Sequence, residues 1–120
     1  IASLGGKAAF IGKVYKDAVG DVFTHDIRAV GVRFDTPRSV EGPATARSFI
    51  LVTPDGERTM NTYLGVSSLL QPSDIDEATV ASGAVLYMEG YLYDRPAAKD
   101  AFRHAAAIAH ANGRKVSLTL

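Results

Sequence analysis

The stretch Gly83–Leu120, GAVLYMEGYLYDRPAAKDAFRHAAAIAHANGRKVSLTL, predicts a strand, a helix and a second strand in that order. The first strand is the apolar run AVLYME, which predicts a buried strand and ends at Gly90. Asp94-Arg-Pro96 is typical of a helix start, and Asn112–Gly113 of a helix end. The helix places its apolar residues on one face: Ala98, Ala101, Phe102, Ala105, Ile108 and Ala109. A strand–helix–strand succession is the unit of a parallel α/β sheet with right-handed crossovers.

The first half of the chain alternates in the same way. Lys7–Val14 is a short apolar run bounded by glycines and predicts a buried strand. A helix is predicted to follow and to end at Gly31, and a loop rich in turn formers runs from Pro37 to Pro43. The helical spacing in this segment is carried by Val19, Val22, Phe23, Ile27 and Val30.

Composition limits the chain to one compact domain of 120 residues. Thirteen basic residues balance thirteen acidic ones, so no charge excess indicates binding to nucleic acid or to an anionic membrane. The chain has no cysteine, which excludes disulfides and thiolate metal sites and is compatible with a reducing cytoplasm. No apolar run approaches the roughly 20 residues of a membrane helix.

Two strands that contain both polar and apolar residues interrupt the α/β alternation in the middle of the chain. They are predicted at Thr45–Thr53 and Glu57–Leu64, and Pro54-Asp55-Gly56 supplies the turn between them. Such a pair is expected to project from the sheet. A short helix is then predicted from about Ser73 to Ser82, with an acidic residue three positions after its cap.

The two faces of the second mixed strand differ in character. Because side chains alternate along a strand, Arg58, Met60, Thr62 and Leu64 share one face. On the first strand, Ser48 shares a face with Ile50 and Val52. An arginine beside medium and small groups suits a half-apolar organic ligand that also carries hydroxyls or phosphate. A solvent-flanked hairpin with a charged edge fits the same pattern, so both interpretations stay open at this point.

The residues alone assemble no catalytic centre. His25, His104 and His110 lie on predicted helices among polar neighbours, where surface positions are expected, and no His-x-x-x-His spacing is present. No serine stands in a Gly-x-Ser-x-Gly frame, and no Walker-type phosphate loop occurs. The acidic residues near 74–77 fit a helix N-terminus, where the helix dipole favours them.

Three segments carry a resemblance to a known family. Leu4–Val32 contains Leu4-Gly5, Phe10-Ile11-Gly12, Val14, Asp17 and Gly20, in the order found in the front segment of the PfkB, or ribokinase-like, family of sugar and nucleoside kinases. Tyr15 replaces the second glycine that is usual there. Thr45–Gly65 resembles the lid of that family, and Gly83–Leu120 resembles the strand–helix–strand that follows it. Within the family, the chain is most similar to the adenosine kinases.

The resemblance implies a fold and an activity. The fold is α/β: a ribokinase-like, Rossmann-like sheet with flanking helices and a projecting β lid at about 44–66, with residues 1–120 forming a single partial domain. The activity is ATP-dependent transfer of the γ-phosphate to a primary hydroxyl, the 5′-hydroxyl of adenosine, with Mg²⁺. Arg58 matches the lid arginine that closes near the transferred phosphate, and Tyr91 matches an aromatic residue that stacks on the purine. The positions that match the substrate pocket are Ser48, Met60, Thr62 and Leu64.

The resemblance also implies that the chain is an internal piece of a longer protein. It places the family's Gly-Gly and Asn substrate motif upstream of Ile1. It places the Gly-Ala-Gly-Asp motif, which contains the general base, downstream of Leu120. We therefore expect the 120 residues alone to be inactive as a kinase.

Two alternatives accompany the nucleoside kinase. One is a sugar kinase of the same family that uses ribose, fructose or a keto-deoxy sugar acid. The other is a non-catalytic binding or dimerisation module, in which lid strands pair between subunits and Phe49, Leu51 and Tyr63 form the interface.

Overall fold

The computed structural model describes residues 1–119 and contains three α-helices and six strands. The helices are α1 (Ala18–Ala29), α2 (Glu77–Ser82) and α3 (Pro96–Ala111). The strands are β1 (Ala8–Ala9), β2 (Val32–Arg33), β3 (Arg47–Val52), β4 (Arg58–Tyr63), β5 (Val85–Glu89) and β6 (Lys115–Thr119). Leu120, which the sequence places in the last strand, lies outside the described residues.

The strands form three pairs. β1 and β2 are parallel and are joined through α1, while β5 and β6 are parallel and are joined through α3. β3 and β4 are antiparallel and, with their turn, form the feature that we call the ribbon, residues 47–63. The predicted α/β alternation and the predicted interruption by two mixed strands are therefore both present. Within residues 1–119, the strands form three separate two-stranded sheets instead of the one sheet that the sequence predicts.

Helix α3 organises the main core. Its residues Ala98, Ala101, Phe102, Ala105 and Ala109 are buried, as predicted, and Ile108 is half-buried. One end of this face packs with Leu70, and the other end packs with Val80 of α2. Pro96 occupies the first turn, and Gly113 takes a left-handed φ of 67° after the helix ends.

Helix α2 begins later than the sequence pattern indicates. Pro72–Asp74 forms a 3₁₀ turn, in which the Asp74 carboxylate accepts a hydrogen bond from the Gln71 N–H at 3.0 Å. Asp74 also forms an ion pair with Lys13 at 2.8 Å. The helix starts only after Asp76, whose side chain accepts from the Thr79 N–H at 3.1 Å and so caps the first turn.

Two expectations for strands are corrected. The predicted strand Lys7–Val14 is regular only at Ala8–Ala9. β5 is half exposed rather than buried: Val85 and Tyr87 are 56% and 62% exposed, while Leu86 and Met88 face the core. α3 packs on one face of the β5–β6 pair, and among residues 1–119 nothing buries the other.

The buried side of helix α1 also differs from the one that its apolar spacing predicts. Val19, Val22 and Val30 are exposed, and the buried positions are Gly20 and Thr24. The aromatic contact of the helix is made by Phe23, whose ring lies 5.7 Å from Phe10 and 5.5 Å from Phe34 between centroids. Within residues 1–119, no helix is both long enough and apolar enough to cross a membrane.

The ribbon rejoins the core at Gly65 and Val66. Val66 is fully buried, and its N–H donates to the Ala44 carbonyl at 3.0 Å. Gly65 has a left-handed φ of 52°, and a Cβ atom there would lie 2.1 Å from the same Ala44 oxygen. The close backbone approach at this junction therefore requires glycine.

Substituting Gly65→Ala in the intact protein is expected to lower the free energy of unfolding by about 2–4 kcal/mol, from left-handed strain and the clash together. Gly83→Ala is the control, because Gly83 has φ −74° and its nearest atoms would be 3.7 Å from the added Cβ. That change should stay within about 0.5 kcal/mol. Urea unfolding measures both variants, and equal midpoints would contradict the assignment.

Candidate functional site

An open cleft of about 460 Å³ lies between the base of the ribbon and the 3₁₀ turn Gly90–Leu92. Three residues predicted from the sequence, Thr62, Leu64 and Tyr91, line it together, although Tyr91 is far from the others along the chain. The full lining is Pro43, Thr62, Tyr63, Leu64, Gly65, Ser68, Tyr91, Leu92, Asp94 and Arg95. The fold therefore brings half of the predicted substrate residues to one place.

Tyr91 is presented to the cleft by its neighbours in the sequence. Leu92 and Tyr93 pack against the core around Phe102, and the Tyr93 and Phe102 ring centroids are 5.6 Å apart. With the residues after it anchored, Tyr91 is left 77% exposed. An exposed aromatic ring held on a short turn offers a flat face to a ligand.

The register of the two ribbon strands follows the predicted alternation. In the β3–β4 register, Ser48 lies opposite Thr62, Ile50 opposite Met60 and Val52 opposite Arg58. The Ser48 and Thr62 hydroxyls are hydrogen-bonded at 2.9 Å. Directly opposed residues share a face of a sheet, so all the predicted ribbon residues lie on one face.

Not all of that face reaches the cleft. Ser48, Met60 and Arg58 are not among the lining residues, and Met60 and Arg58 lie farther toward the turn at Pro54–Gly56. The turn itself is as predicted: Gly56 has φ 85° and donates to the Thr53 carbonyl at 2.9 Å. Arg58 is exposed, as is every other residue of both ribbon strands.

Sequence reasoning missed the charged residues of the cleft. Asp94 and Arg95 line it, and they are its only charged members. The sequence pattern assigned them to the start of α3, which is also correct, because Arg95 is the residue that precedes its first turn. Nothing in a helix-start signal indicates that the same residues border a cleft.

A second polar cluster lies where the ribbon begins. The Asp17 carboxylate accepts from the Thr45 hydroxyl at 2.7 Å, from the Thr45 N–H at 3.0 Å and from the Gly20 N–H at 2.8 Å. The Tyr15 N–H donates to the Thr45 hydroxyl oxygen at 2.9 Å. The hydrogen bonds from the Thr45 hydroxyl and N–H, and then from the Gly20 N–H, lower the pKa of Asp17 below its ordinary value.

The histidines are dispersed. His25 is exposed beside Asp26, His110 is exposed, and His104 is half-buried with its Nε2 3.5 Å from a Glu77 oxygen. The surface prediction is thus confirmed for His25 and His110, whereas His104 is partly covered. Over the described chain, no group of three or more His, Cys, Asp or Glu residues could hold a metal ion.

Comparison with known proteins identifies the family. The family model described as pfkB family carbohydrate kinase matches residues 1–119. The chain belongs to this family. The pfkB assignment agrees with the resemblance carried by the front segment, the lid strands and the final strand–helix–strand.

The adenosine kinase from Sinorhizobium meliloti is 58% identical to this pfkB chain, with a TM-score of 0.93 over 99% of this chain and 36% of that one. The fructokinase of Solanum tuberosum is 32% identical over 72% of this chain and 28% of its own length. The ATP-dependent ribose-1-phosphate kinase of Halopiger xanaduensis is 31% identical over 82% of this chain and 33% of its own length.

These likenesses confirm the predicted ribokinase-like α/β fold. The chain spans about a third of the length of the solved adenosine kinase and about a quarter of the potato fructokinase. The pfkB relatives are kinases whose acceptors differ from one protein to another. These relatives therefore do not agree on one acceptor.

Proposed function

We propose that this chain is the lid-bearing part of an ATP-dependent nucleoside kinase that phosphorylates the 5′-hydroxyl of adenosine. The observation that carries the proposal is the cleft in which the exposed Tyr91 ring lies together with Thr62 and Leu64. A planar aromatic face suits a purine, and stacking on a base is worth about 1–3 kcal/mol. Identity of 58% with an adenosine kinase supports the same acceptor.

The ribbon acts as the cover of this site. Thr62 offers a hydroxyl to the sugar and Leu64 an apolar side chain to the base, while closure of the ribbon excludes water from the reacting groups. Arg58, on the same face and nearer the turn, neutralises charge on the transferred phosphate. Ser48 orients the Thr62 hydroxyl through their 2.9 Å hydrogen bond, and Met60 extends the apolar part of the cover.

ATP and Mg²⁺ are the family's co-substrate and metal, but no residue of this chain is assigned to either. Across residues 1–119, no group of three or more His, Cys, Asp or Glu residues could hold a metal ion, and the sequence contains no Walker-type phosphate loop. Mg²⁺ binding by one or two carboxylates and substrate phosphates is typical of kinases. What the described residues supply is the acceptor cleft and its cover.

A sugar kinase is the second candidate. Fructokinases from several plants are 30–33% identical over about 72% of this chain. A hexose has no flat aromatic face, so it would use the hydroxyls of Thr62 and Ser68 and the charges of Asp94 and Arg95, all of which line the cleft. The two candidates therefore differ in their dependence on Tyr91.

The substitution Tyr91→Ala in the intact enzyme is expected to raise the KM for adenosine by about 5- to 150-fold, because base stacking of 1–3 kcal/mol is lost. The KM for fructose, if fructose is a substrate, should change less than about threefold. Steady-state kinetics with both acceptors measures the difference.

Tyr87→Ala provides the matched control. Tyr87 is also exposed, at 62%, but it lies on β5 and does not line the cleft. Its removal should leave both KM values near those of the unmodified enzyme. An equal loss of adenosine affinity in the two variants, or a loss for fructose as large as that for adenosine, would argue against the nucleoside pocket.

Arg58→Ala is expected to lower kcat about 10- to 100-fold while leaving the adenosine Kd nearly unchanged, because the charge it neutralises develops during phosphoryl transfer. Arg103→Ala is the control, since Arg103 is an exposed arginine on α3 that pairs with Asp100 at 3.0 Å. A loss of adenosine binding with unaltered kcat would contradict the role.

We also propose that two copies associate through their ribbons. Phe49 and Leu51 are 66% and 65% exposed, and with Tyr63 they lie on the ribbon face opposite to Arg58. An exposed apolar strand pair is a surface on which a second strand pair can add. Leu51→Asp should convert a dimer of the intact protein to a monomer in sedimentation analysis, and a monomeric unmodified protein would exclude the dimer.

A further inference from the structure

The orientation of the ribbon is set at its base. Every residue of β3 and β4 is exposed, so packing of these strands against the rest of residues 1–119 does not hold them in place. The ribbon nevertheless has to bring Thr62 and Leu64 to the cleft that Tyr91 also lines. The contacts of the residues that flank the ribbon therefore decide where it points.

The chain leading into β3 is held by one buried threonine. Thr45 is 3% exposed, and its hydroxyl both donates to Asp17 at 2.7 Å and accepts from the Tyr15 N–H at 2.9 Å. Its own N–H donates to the second oxygen of the same carboxylate at 3.0 Å. Thr45 and Asp17 thus make two bonds with each other, which fixes direction as well as distance.

The first turn of α1 leaves room for the contact between Asp17 and Thr45. Asp17 is the residue that caps α1, through the Gly20 N–H at 2.8 Å. A Cβ atom on Gly20 would lie 2.1 Å from the Tyr15 carbonyl oxygen and 3.0 Å from the Thr45 hydroxyl. Glycine at this position therefore allows the helix start and the ribbon base to touch.

Thr45 is also linked to the other end of the ribbon, through Ala44. Its neighbour Ala44 accepts the Val66 N–H at 3.0 Å and lies against Gly65. Gly65 and the preceding Leu64 both line the cleft. A displacement of Thr45 would carry Ala44 with it and reach the cleft through one peptide bond and one hydrogen bond.

We propose that Thr45 and Asp17 are positioning residues, which hold both ends of the ribbon in the orientation that places Thr62 and Leu64 in the acceptor cleft with Tyr91. This inference rests on the acceptor role proposed for that cleft. Neither residue touches the acceptor. Loss of their contact lowers the fraction of molecules whose ribbon is correctly oriented, and the apparent affinity for the acceptor falls by the same factor.

Three threonine variants of the intact enzyme test the proposal. Thr45→Val removes the hydroxyl and keeps the shape, whereas Thr45→Ser keeps the hydroxyl. Thr24→Val is the matched control, because Thr24 is the other buried threonine of the described chain, at 5% exposed, and its hydroxyl donates to the Gly20 carbonyl within α1 at 2.7 Å.

For Thr45→Val we expect the KM for adenosine to rise roughly three- to tenfold, as for the loss of one or two hydrogen bonds, with a smaller change in kcat. Thr45→Ser should restore KM to within about twofold, and Thr24→Val should lower the melting temperature without raising KM. A KM for Thr45→Val no higher than that for Thr24→Val, or a failure of serine to rescue, would overturn the proposal.

Amide hydrogen exchange separates this inference from the kinase function. In Thr45→Val without any substrate, exchange should accelerate at both ends of the ribbon, at Ala46 and Arg47 and at Tyr63 and Leu64, and not in Thr24→Val. If the intact protein phosphorylates no nucleoside, the function fails and the exchange result still decides the positioning role. Unchanged exchange at these amides would overturn it.

If Thr45→Val does not fold, Asp17→Asn supplies the same measurements. The amide oxygen can still cap α1 and accept from the Thr45 hydroxyl, but the amide nitrogen cannot accept from the Thr45 N–H. Faster exchange at the ribbon ends of this variant supports the proposal, and exchange equal to that of the unmodified protein refutes it.

Discussion

The carboxylate of Asp17 joins two parts of the chain that are 28 residues apart, the start of α1 and the start of the ribbon. It accepts hydrogen bonds from the Thr45 hydroxyl, the Thr45 N–H and the Gly20 N–H together only when ionised, because a carboxylate accepts at both oxygens whereas a carboxylic acid carries a hydrogen on one of them. The bonds from Thr45 and Gly20 lower its pKa below the ordinary value of 3.8. A lowered folded-state pKa means that this stabilisation is complete above the unfolded-state value and is lost as the pH falls below about 3.8.

The α3 core and the ribbon are held in place by different physical interactions. Around α3, alanines and Phe102 are buried, so the hydrophobic effect holds α2, β5 and β6 against the helix. The ribbon instead exposes Phe49, Ile50 and Leu51, and its place depends on hydrogen bonds and close backbone contacts at its base. Such an attachment suits the covering role proposed for the ribbon, since small local contacts permit motion that a packed core would resist.

Sequence patterns predicted the parts of this structure that follow from a single periodicity. The buried face of α3 repeats every three to four residues, and the alternation of β4 placed Arg58, Met60 and Thr62 on one face. The same reasoning failed for α1. Val19 and Val22 have helical spacing but are exposed, whereas Gly20 lies against Tyr15 and Thr45. Contacts between distant segments cannot be predicted from periodicity. The hydrogen bond between Thr45 and Asp17 and the shared cleft of Tyr91 and Thr62 are both of this kind.

The two sides of the cleft are held by attachments in different parts of the fold. The ribbon side of the cleft is fixed at Thr45 and Gly65, while Tyr91 is fixed by the packing of Leu92 and Tyr93 on the α3 core. A side-chain change at position 91 therefore leaves the contacts at the base of the ribbon in place. Under the acceptor role proposed for the cleft, this separation lets the side chains that line it vary while the scaffold is kept, and the relatives of this chain include kinases of adenosine, fructose and ribose 1-phosphate.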